Sequence, residues 1–154
     1  MISIYTDGSV DDNYKRKNTG GYAYIVVNEF GIKTREFVEG DKDTTNNRME
    51  LKAVIQALKD HYNSDEQIMI YSDSTYVVNA INADWVSGWK KRNWQKNGQD
   101  IPNKELWLEL LSYLKPNVKF NWIKSHQGNV WNEAVDALAK TKTIKQKKYK
   151  VINE

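Results

Sequence analysis

Two short segments of the sequence share a pattern that ends on an aspartate. Residues 4–9 (IYTDGS) and 70–75 (IYSDST) each run from apolar residues to Asp7 or Asp73 and then to small residues. Ligands of open α/β sheets bind in the crevice beyond the carboxyl ends of the strands. If the two strands are neighbours, their carboxylates lie side by side and could hold a cation or act on a ligand. Taken singly, Asp-Gly is typical of a turn and Asp-Ser-Thr of a helix cap.

Two further carboxylates lie on amphipathic, helix-like segments. Glu50 sits at the edge of an apolar stripe, and Asp136 follows Val135 in the last such segment. An unpaired buried charge is very costly, so each needs compensation. A salt bridge from Glu50 to Arg48 or Lys52 is the structural alternative to a functional role, and Asp136 could simply cap or pair.

Composition bounds the kind of protein. The chain has 154 residues, of which 40% are apolar and 28% charged, which is typical of one folded domain. It contains no cysteine, which excludes disulfides, thiolate metal sites and cysteine nucleophiles. No signal peptide and no membrane-length apolar run is present, so we expect a cytoplasmic protein that does not engage membranes.

The basic residues are clustered although the net charge is only +3. One cluster covers residues 15–17, a second contains residues 90–92 and Lys96, and six lysines fall between Lys140 and Lys150. Clusters of this kind indicate a polyanionic partner, although any one of them could be solvated surface. We divide the chain into a domain at 1–142 and a lysine-rich, solvated tail at 143–154.

Hydrophobic periodicity predicts a mixed α/β fold. The order is three strands, a helix, a strand, helices, a strand and a helix, and an antiparallel hairpin joined to parallel crossovers makes a mixed sheet flanked by helices. The predicted strands are 2–6, 22–27, 33–38, 67–72 and 118–123. The predicted helices are 47–58, 75–81, 106–114 and 132–142, with Thr45 or Asn46 as the cap of the first.

Five motifs together resemble type 1 ribonuclease H over nearly the whole chain. They are TDGS at 6–9, TTNNRMEL at 44–51, YSDS at 71–74, WIKSHQG at 122–128 and NEAVD at 132–136. The resemblance implies the ribonuclease H-like fold, with a five-stranded mixed sheet. It also implies an endonuclease that cuts the RNA strand of RNA–DNA hybrids and leaves 5′-phosphate and 3′-hydroxyl ends. The implied metal ligands are Asp7, Glu50, Asp73 and Asp136.

Physical chemistry agrees with that implied site. Four clustered carboxylates raise one another's pKa values unless cations neutralise them, and oxygen ligands select Mg²⁺, or Mn²⁺ as a substitute, rather than zinc. Two such ions can activate a water and stabilise a leaving oxygen. His126 lies ten residues before Asp136 in the SHQG context, where proton transfer that assists the rate without being indispensable is the expected role.

The resemblance also assigns residues that contact the hybrid. Asn46 and Asn47 would reach the minor groove, helped by backbone groups near Gly8 and Ser9, although an Asn pair is also typical of helix capping. The residues that match the family's phosphate pocket for the DNA strand are Thr45, Ser74 and Asn103. The basic segment resembles the family's handle, and its expected contacts with the DNA backbone are Lys90, Lys91, Arg92 and Trp94, whereas Trp85 and Trp89 are expected mostly in the core.

One loop departs from the family pattern, and other classes of function stay open. Loop 11–19 is long and basic instead of glycine-rich, so the family's usual Asn contact from this loop is left open, with Asn18 as a candidate replacement. A superfamily-related DNA nuclease or resolvase, a non-catalytic hybrid-binding module and a domain of a polymerase-like chain are the alternatives. We expect a monomer without a protein partner.

Overall fold

The computed structural model describes residues 1–11 and 19–152, with side chains described as far as Thr143. The strands are β1 (Ile2–Asp11), β2 (Thr19–Val27), β3 (Lys33–Lys42), β4 (Ile68–Ser72), β5 (Gln95–Lys96), β6 (Gln99–Asp100) and β7 (Val118–Trp122). The helices are α1 (Asn46–Asp60), α2 (Thr75–Asn82), α3 (Trp85–Lys91), α4 (Lys104–Tyr113) and α5 (Val130–Ile152). Most of the predicted basic loop, including Asn18 and the cluster at 15–17, lies outside the described residues.

The main sheet confirms the predicted fold class. Its five strands lie in the order β3-β2-β1-β4-β7, with β1, β2 and β3 antiparallel and β1, β4 and β7 parallel. From β1 the chain continues to β2 and β3 on one side of the sheet, and later to β4 and β7 on the other side. The strand order therefore reverses at β1. Such a switch point is where open α/β sheets bind ligands.

Strand β1 is longer than predicted, which changes the setting of Asp7. Its antiparallel pairing with β2 continues to Asp11, whereas its parallel pairing with β4 ends at Tyr5 opposite Tyr71. Asp7 is therefore paired with Ala23 of β2. On its other side it lies two residues beyond Tyr5, the last residue of β1 that pairs with β4. Asp73 also lies two residues beyond the last β1–β4 pair. The two strands are neighbours, which is the condition under which the two carboxylates were expected to lie side by side.

The two faces of the sheet bury separate cores. Alternate residues of β2 contribute to each, since side chains of a strand point to opposite faces. Tyr24 and Val26 pack with the apolar stripes of α1, α2 and α4, and Ala23 and Ile25 pack with α5. Thr45, one of the two predicted caps, is confirmed, because its hydroxyl accepts a hydrogen bond of 3.3 Å from the Arg48 amide, and α1 begins one residue before the predicted start. The sheet is thus held between helices on both faces.

The tryptophan-rich segment folds into helix α3 and a two-stranded hairpin, β5–β6, that hydrophobic periodicity does not predict. Trp89 packs against the core as expected, and its ring lies 5.8 Å from Trp94 and 5.2 Å from Trp107, centroid to centroid. Trp85 was expected in the core but is 42% exposed, so that expectation was wrong.

The last helix also differs from its predicted bounds. Helix α5 begins at Val130 and its backbone continues to Ile152, whereas periodicity predicted 132–142. The division between domain and tail at 142/143 stays a prediction, because side chains beyond Thr143 are outside the described residues. Across residues 1–11 and 19–152, no helix is long and apolar enough to cross a membrane.

Candidate active site

Three of the four predicted carboxylates converge just beyond the point where the parallel pairing of β1 with β4 ends. Asp7 comes from β1, Glu50 from the first turns of α1, and Asp73 from the turn between β4 and α2. One carboxylate oxygen from each lies within 4.8 Å of the others. The structure therefore contains an acidic cluster that could hold a metal ion, at the position that the two similar motifs predicted.

Glu50 is fixed by the backbone of β1. Its side chain is buried, and Oε1 accepts a hydrogen bond of 2.8 Å from the amide of Gly8. The predicted alternative, a salt bridge to Arg48 or Lys52, is wrong, because Arg48 pairs with Glu105 and Lys52 with Asp41. Glu50 is thus left with the acidic cluster as its environment.

The electrostatics of the cluster are those of an anionic site. Burial, followed by the proximity of Glu50, raises the pKa of Asp7, and burial raises the pKa of Glu50. Burial and then the charge of Asp136 raise the pKa of Asp73. Oε2 of Glu50 is buried and has no hydrogen-bond partner within the described part of the chain. Asp7 and Glu50 are in contact, but two ionised carboxyls have no proton to share, so the cluster requires a proton or a cation.

Asp136 joins the cluster from α5 but is balanced differently. The structure places it near Asp7, although it is not one of the three residues whose oxygens all lie within 4.8 Å. Its Oδ2 accepts a hydrogen bond of 2.9 Å from the ammonium of Lys140. Burial is the largest single effect and opposes ionisation of Asp136, but the hydrogen bonds with Lys140 and Asp7 and the nearby positive charge together outweigh it and lower the pKa. This role of Lys140 was not predicted from the sequence, although a spacing of four residues from Asp136 in a helix was a usable signal.

His126 lies in the loop after β7, exposed and with a backbone φ of +57°. The loop brings His126 close enough to Asp73 and Asp136 for a positive charge there to lower the pKa values of these two carboxyls. The structure thus brings the predicted proton-transfer residue to the predicted carboxylates. Trp122 was not predicted to have a role, yet its indole N–H donates to the backbone carbonyl of Asp73 at 3.1 Å.

The predicted phosphate-pocket residues lie at three helix starts that are linked to one another. Thr45 caps α1, and the Ser74 hydroxyl caps α2 by accepting from the Val77 amide at 3.2 Å. Asn103 precedes α4 and bridges the other two helices: Oδ1 accepts from Arg48 at 3.3 Å, and Nδ2 donates to the Tyr76 hydroxyl at 3.4 Å. Each capping hydroxyl uses its oxygen as an acceptor, which leaves its own O–H free to donate to an anion.

The remaining predicted substrate contacts are mostly on the surface. Asn46 and Asn47 are exposed in the first turn of α1, while Gly8 is buried against α1 and Ser9 is half-buried. The exposed basic residues of the handle are Lys90, Lys91 and Arg92, whereas Trp94 is half-buried against the core. A cavity of about 460 Å³ separates α1 from the hairpin, and its lining includes Asn47, Trp89, Lys96 and Asn103.

Comparisons with known proteins agree with this geometry. The family model for RNase H matches residues 1–144. A ribonuclease H of Caldanaerobacter subterraneus subsp. tengcongensis is 41% identical over 149 residues, which cover 95% of this chain and 92% of that protein. LC9-RNase H1, a type 1 RNase H with the type 2 active-site motif, is 29% identical with a TM-score of 0.79, covering 91% of this chain and 70% of that one. LC11-RNase H1, crystallised in complex with RNA/DNA hybrid, is 23% identical with a TM-score of 0.72. The match covers 95% of this chain and 99% of that one.

The mixed sheet with an acidic cluster beyond its central parallel strands defines a protein of the ribonuclease H-like fold class. Within that class, the chain belongs to the RNase H family, and it is therefore a nuclease. The resemblance noted from the five sequence motifs is confirmed.

Proposed function

We propose that this nuclease hydrolyses the RNA strand of RNA–DNA hybrids internally and leaves 5′-phosphate and 3′-hydroxyl ends. The observation that carries the proposal is the convergence of Asp7, Glu50 and Asp73 within 4.8 Å, in a chain of the RNase H family. The substrate class is supported by LC11-RNase H1, which has the same fold and was crystallised with RNA/DNA hybrid.

The residues of the cluster fit a divalent metal site. Carboxylate oxygens are the ligands that Mg²⁺ and Mn²⁺ prefer, and Oε2 of Glu50 is a buried acceptor without a donor among the described residues. A buried anion without a partner is strongly unfavourable, so a cation there removes the largest electrostatic penalty of the site. We assign Asp7, Glu50, Asp73 and Asp136 as the ligands of two Mg²⁺ ions, with Mn²⁺ as a substitute.

The chain's own residues position this chemistry. Two such ions, when bound, supply activation of a water and stabilisation of the leaving oxygen. The Gly8 amide holds Glu50 in place, and the Trp122 indole holds the backbone of Asp73. His126 is exposed beside Asp73 and Asp136, where it can take a proton from the attacking water or give one to the leaving group.

The linked helix starts form the surface for the DNA strand. Thr45, Ser74 and Asn103 present hydroxyl and amide donors that suit a backbone phosphate, and the basic handle extends the positive surface. Asn46 and Asn47 are exposed beside them and are assigned to the minor groove. The amide of Gly8 is already engaged by Glu50, so at that edge Ser9 carries more of the proposed contact than Gly8. We assign the active form as a monomer.

A substrate panel tests the proposal. End-labelled RNA–DNA hybrid, double-stranded RNA, double-stranded DNA and single-stranded RNA are each incubated with the protein and Mg²⁺, or with chelator. The expected result is internal cutting confined to the RNA strand of the hybrid, dependent on metal, with 5′-phosphate at the new ends. Cutting of duplex DNA would instead indicate the resolvase-like alternative. Tight hybrid binding without cutting would indicate a binding module.

A further inference from the structure

A lysine of the chain already neutralises one member of the acidic cluster. Lys140 lies one helical turn after Asp136, and its ammonium nitrogen is 2.9 Å from Asp136 Oδ2. The hydrogen bond with Asp136 raises the pKa of Lys140, and the charge of Asp7 acts in the same direction. The ammonium of Lys140 is therefore directed at the cluster, although the side chain remains half-exposed.

The carboxylates of the cluster consequently fall into two electrostatic groups. The pKa values of Asp7, Glu50 and Asp73 are all raised, whereas that of Asp136 is lowered by Lys140 and Asp7 despite its partial burial. Among residues 1–11 and 19–143, the Lys140–Asp136 pair is the one salt bridge formed by a carboxylate of the acidic cluster. One of the two carboxylate oxygens of Asp136, Oδ2, thus already accepts a hydrogen bond from an ammonium group.

The surroundings leave room for the ammonium to move. Lys140 is half-exposed, with 53% of its side chain accessible. It also lines a cavity of about 220 Å³ on the outer side of the site, together with Ser9, Val10, Asp11 and Thr143. A flexible four-carbon stem can therefore withdraw its charge from Asp136 without disturbing the backbone of α5.

We propose that Lys140 is the internal counter-ion of Asp136, which a divalent ion must displace, and that Lys140 thereby sets the metal concentration at which the site fills. The inference rests on the proposed metal-binding function of the cluster. It predicts two effects of opposite sign. In the metal-free protein the ammonium relieves repulsion between carboxylates, which stabilises the fold. In the metal-bound protein the same charge lies near a divalent cation, which weakens binding.

Lys140→Met separates this role from a structural one, because methionine keeps an apolar stem and removes the charge. The free protein should unfold at a lower temperature in chelator, while the half-saturating Mg²⁺ or Mn²⁺ concentration should fall by about three- to tenfold. Lys140→Arg keeps the charge and should resemble the wild type in both measurements. A residue that only stabilises the helix would weaken the fold without tightening metal binding.

The measurements are metal titrations by calorimetry and thermal unfolding in chelator, on the wild type and four variants. Lys33→Met is the matched control, since it breaks an exposed lysine–glutamate pair of similar length, 3.0 Å, on β3, and it should leave metal affinity unchanged. Unchanged or weaker metal binding by Lys140→Met overturns the inference and leaves the proposed function standing. Absence of Mg²⁺ and Mn²⁺ binding by the wild type, or binding that Asp73→Asn does not weaken, overturns the proposed metal site and the inference with it.

Discussion

The amide of Gly8 in β1 donates a hydrogen bond of 2.8 Å to Oε1 of Glu50 in α1, although the two residues are 42 positions apart in the chain. A Cβ atom at Gly8 would lie 2.4 Å from the Glu50 backbone nitrogen, so strand and helix backbones touch there. The contact orients Glu50 towards Asp7 and leaves Oε2 for a cation. This hydrogen bond joins the motif at 6–9 to the motif at 44–51 in one site.

Gly8→Ala should disrupt this contact. Because the new methyl group would meet backbone atoms of Met49 and Glu50 at 2.4 Å, α1 must shift away from β1, at a cost of about 1–3 kcal/mol in the free energy of unfolding. Metal affinity should fall as Glu50 moves. Chemical denaturation and metal titration measure the two effects.

Gly88→Ala is the matched control for that substitution. Its added Cβ meets only the flexible end of the Arg92 side chain, at 3.4 Å, and alanine favours a helix over glycine by up to about 1 kcal/mol. Equal stability of the two variants would show that strand and helix are not in close contact at Gly8.

Glu50→Gln should separate the charge of Glu50 from its structural role. The glutamine oxygen can still accept from Gly8, so the fold is retained, and the loss of a buried anion beside Asp7 should raise the melting temperature of the metal-free protein. Hydrolysis of the hybrid should fall by more than about 100-fold, since a metal ligand is weakened. Calorimetric unfolding and a cleavage assay on one preparation provide both values. A variant that is destabilised but active would contradict the assigned role.

Asp7→Asn should give a stability difference that depends on pH. The folded-state pKa of Asp7 is raised, so the folded protein holds the proton while the unfolded chain releases it above about pH 4. The stability of the metal-free wild type therefore declines as the pH rises from about 4 towards the folded-state pKa. The variant lacks this group, and its advantage of about 1–3 kcal/mol at pH 7 should vanish near pH 3.

Thermal unfolding in chelator between pH 3 and 8 measures this difference. A stability gap that is constant over the whole range would mean that Asp7 is not the titrating group. Addition of Mg²⁺ at pH 7 should stabilise the wild type and have a smaller effect on Asp7→Asn, because ligand binding stabilises the folded state in proportion to affinity.

The handle should contribute affinity through charge. Replacing Lys90, Lys91 and Arg92 together by alanine should weaken hybrid binding at low salt. It should also reduce the slope of log affinity against log salt by up to about 0.9 for each phosphate that the variant no longer neutralises. A matched variant replaces three exposed lysines towards the far end of the sheet, Lys33, Lys59 and Lys119. Equal weakening in both variants would mean that only net charge matters.

The site was predictable where a motif coincides with a strand end or a helix start. The two similar motifs put Asp7 and Asp73 side by side on the condition that their strands are neighbours, because parallel neighbouring strands end at the same edge of a sheet. Periodicity predicted α1 and put Glu50 at the edge of its buried stripe, where the structure buries it. These features depend on local pattern and on the limited number of α/β topologies.

The remaining features depend on long-range packing. Strand β1 extends past Asp7 because it pairs with β2. The Asp-Gly sequence is typical of a turn and does not predict this extension. Lys140 belongs to a lysine cluster that the sequence pattern assigns to solvated surface, and only the placement of α5 beside β1 reveals it as the partner of Asp136. The hairpin β5–β6 is too short for a periodic signal.

The most direct test compares hybrid cleavage by the wild type, Asp73→Asn and Asp65→Asn, with Mg²⁺ and with chelator. Asp65 is an exposed aspartate in the loop before β4, at the other end of that strand from Asp73, so it controls for the loss of one negative charge. We expect metal-dependent cuts in the RNA strand by the wild type and by Asp65→Asn, and a loss of more than about 100-fold in Asp73→Asn with its fold intact. Full activity of Asp73→Asn, or cutting by the wild type in chelator, would contradict the assignment of the acidic cluster as the catalytic metal site.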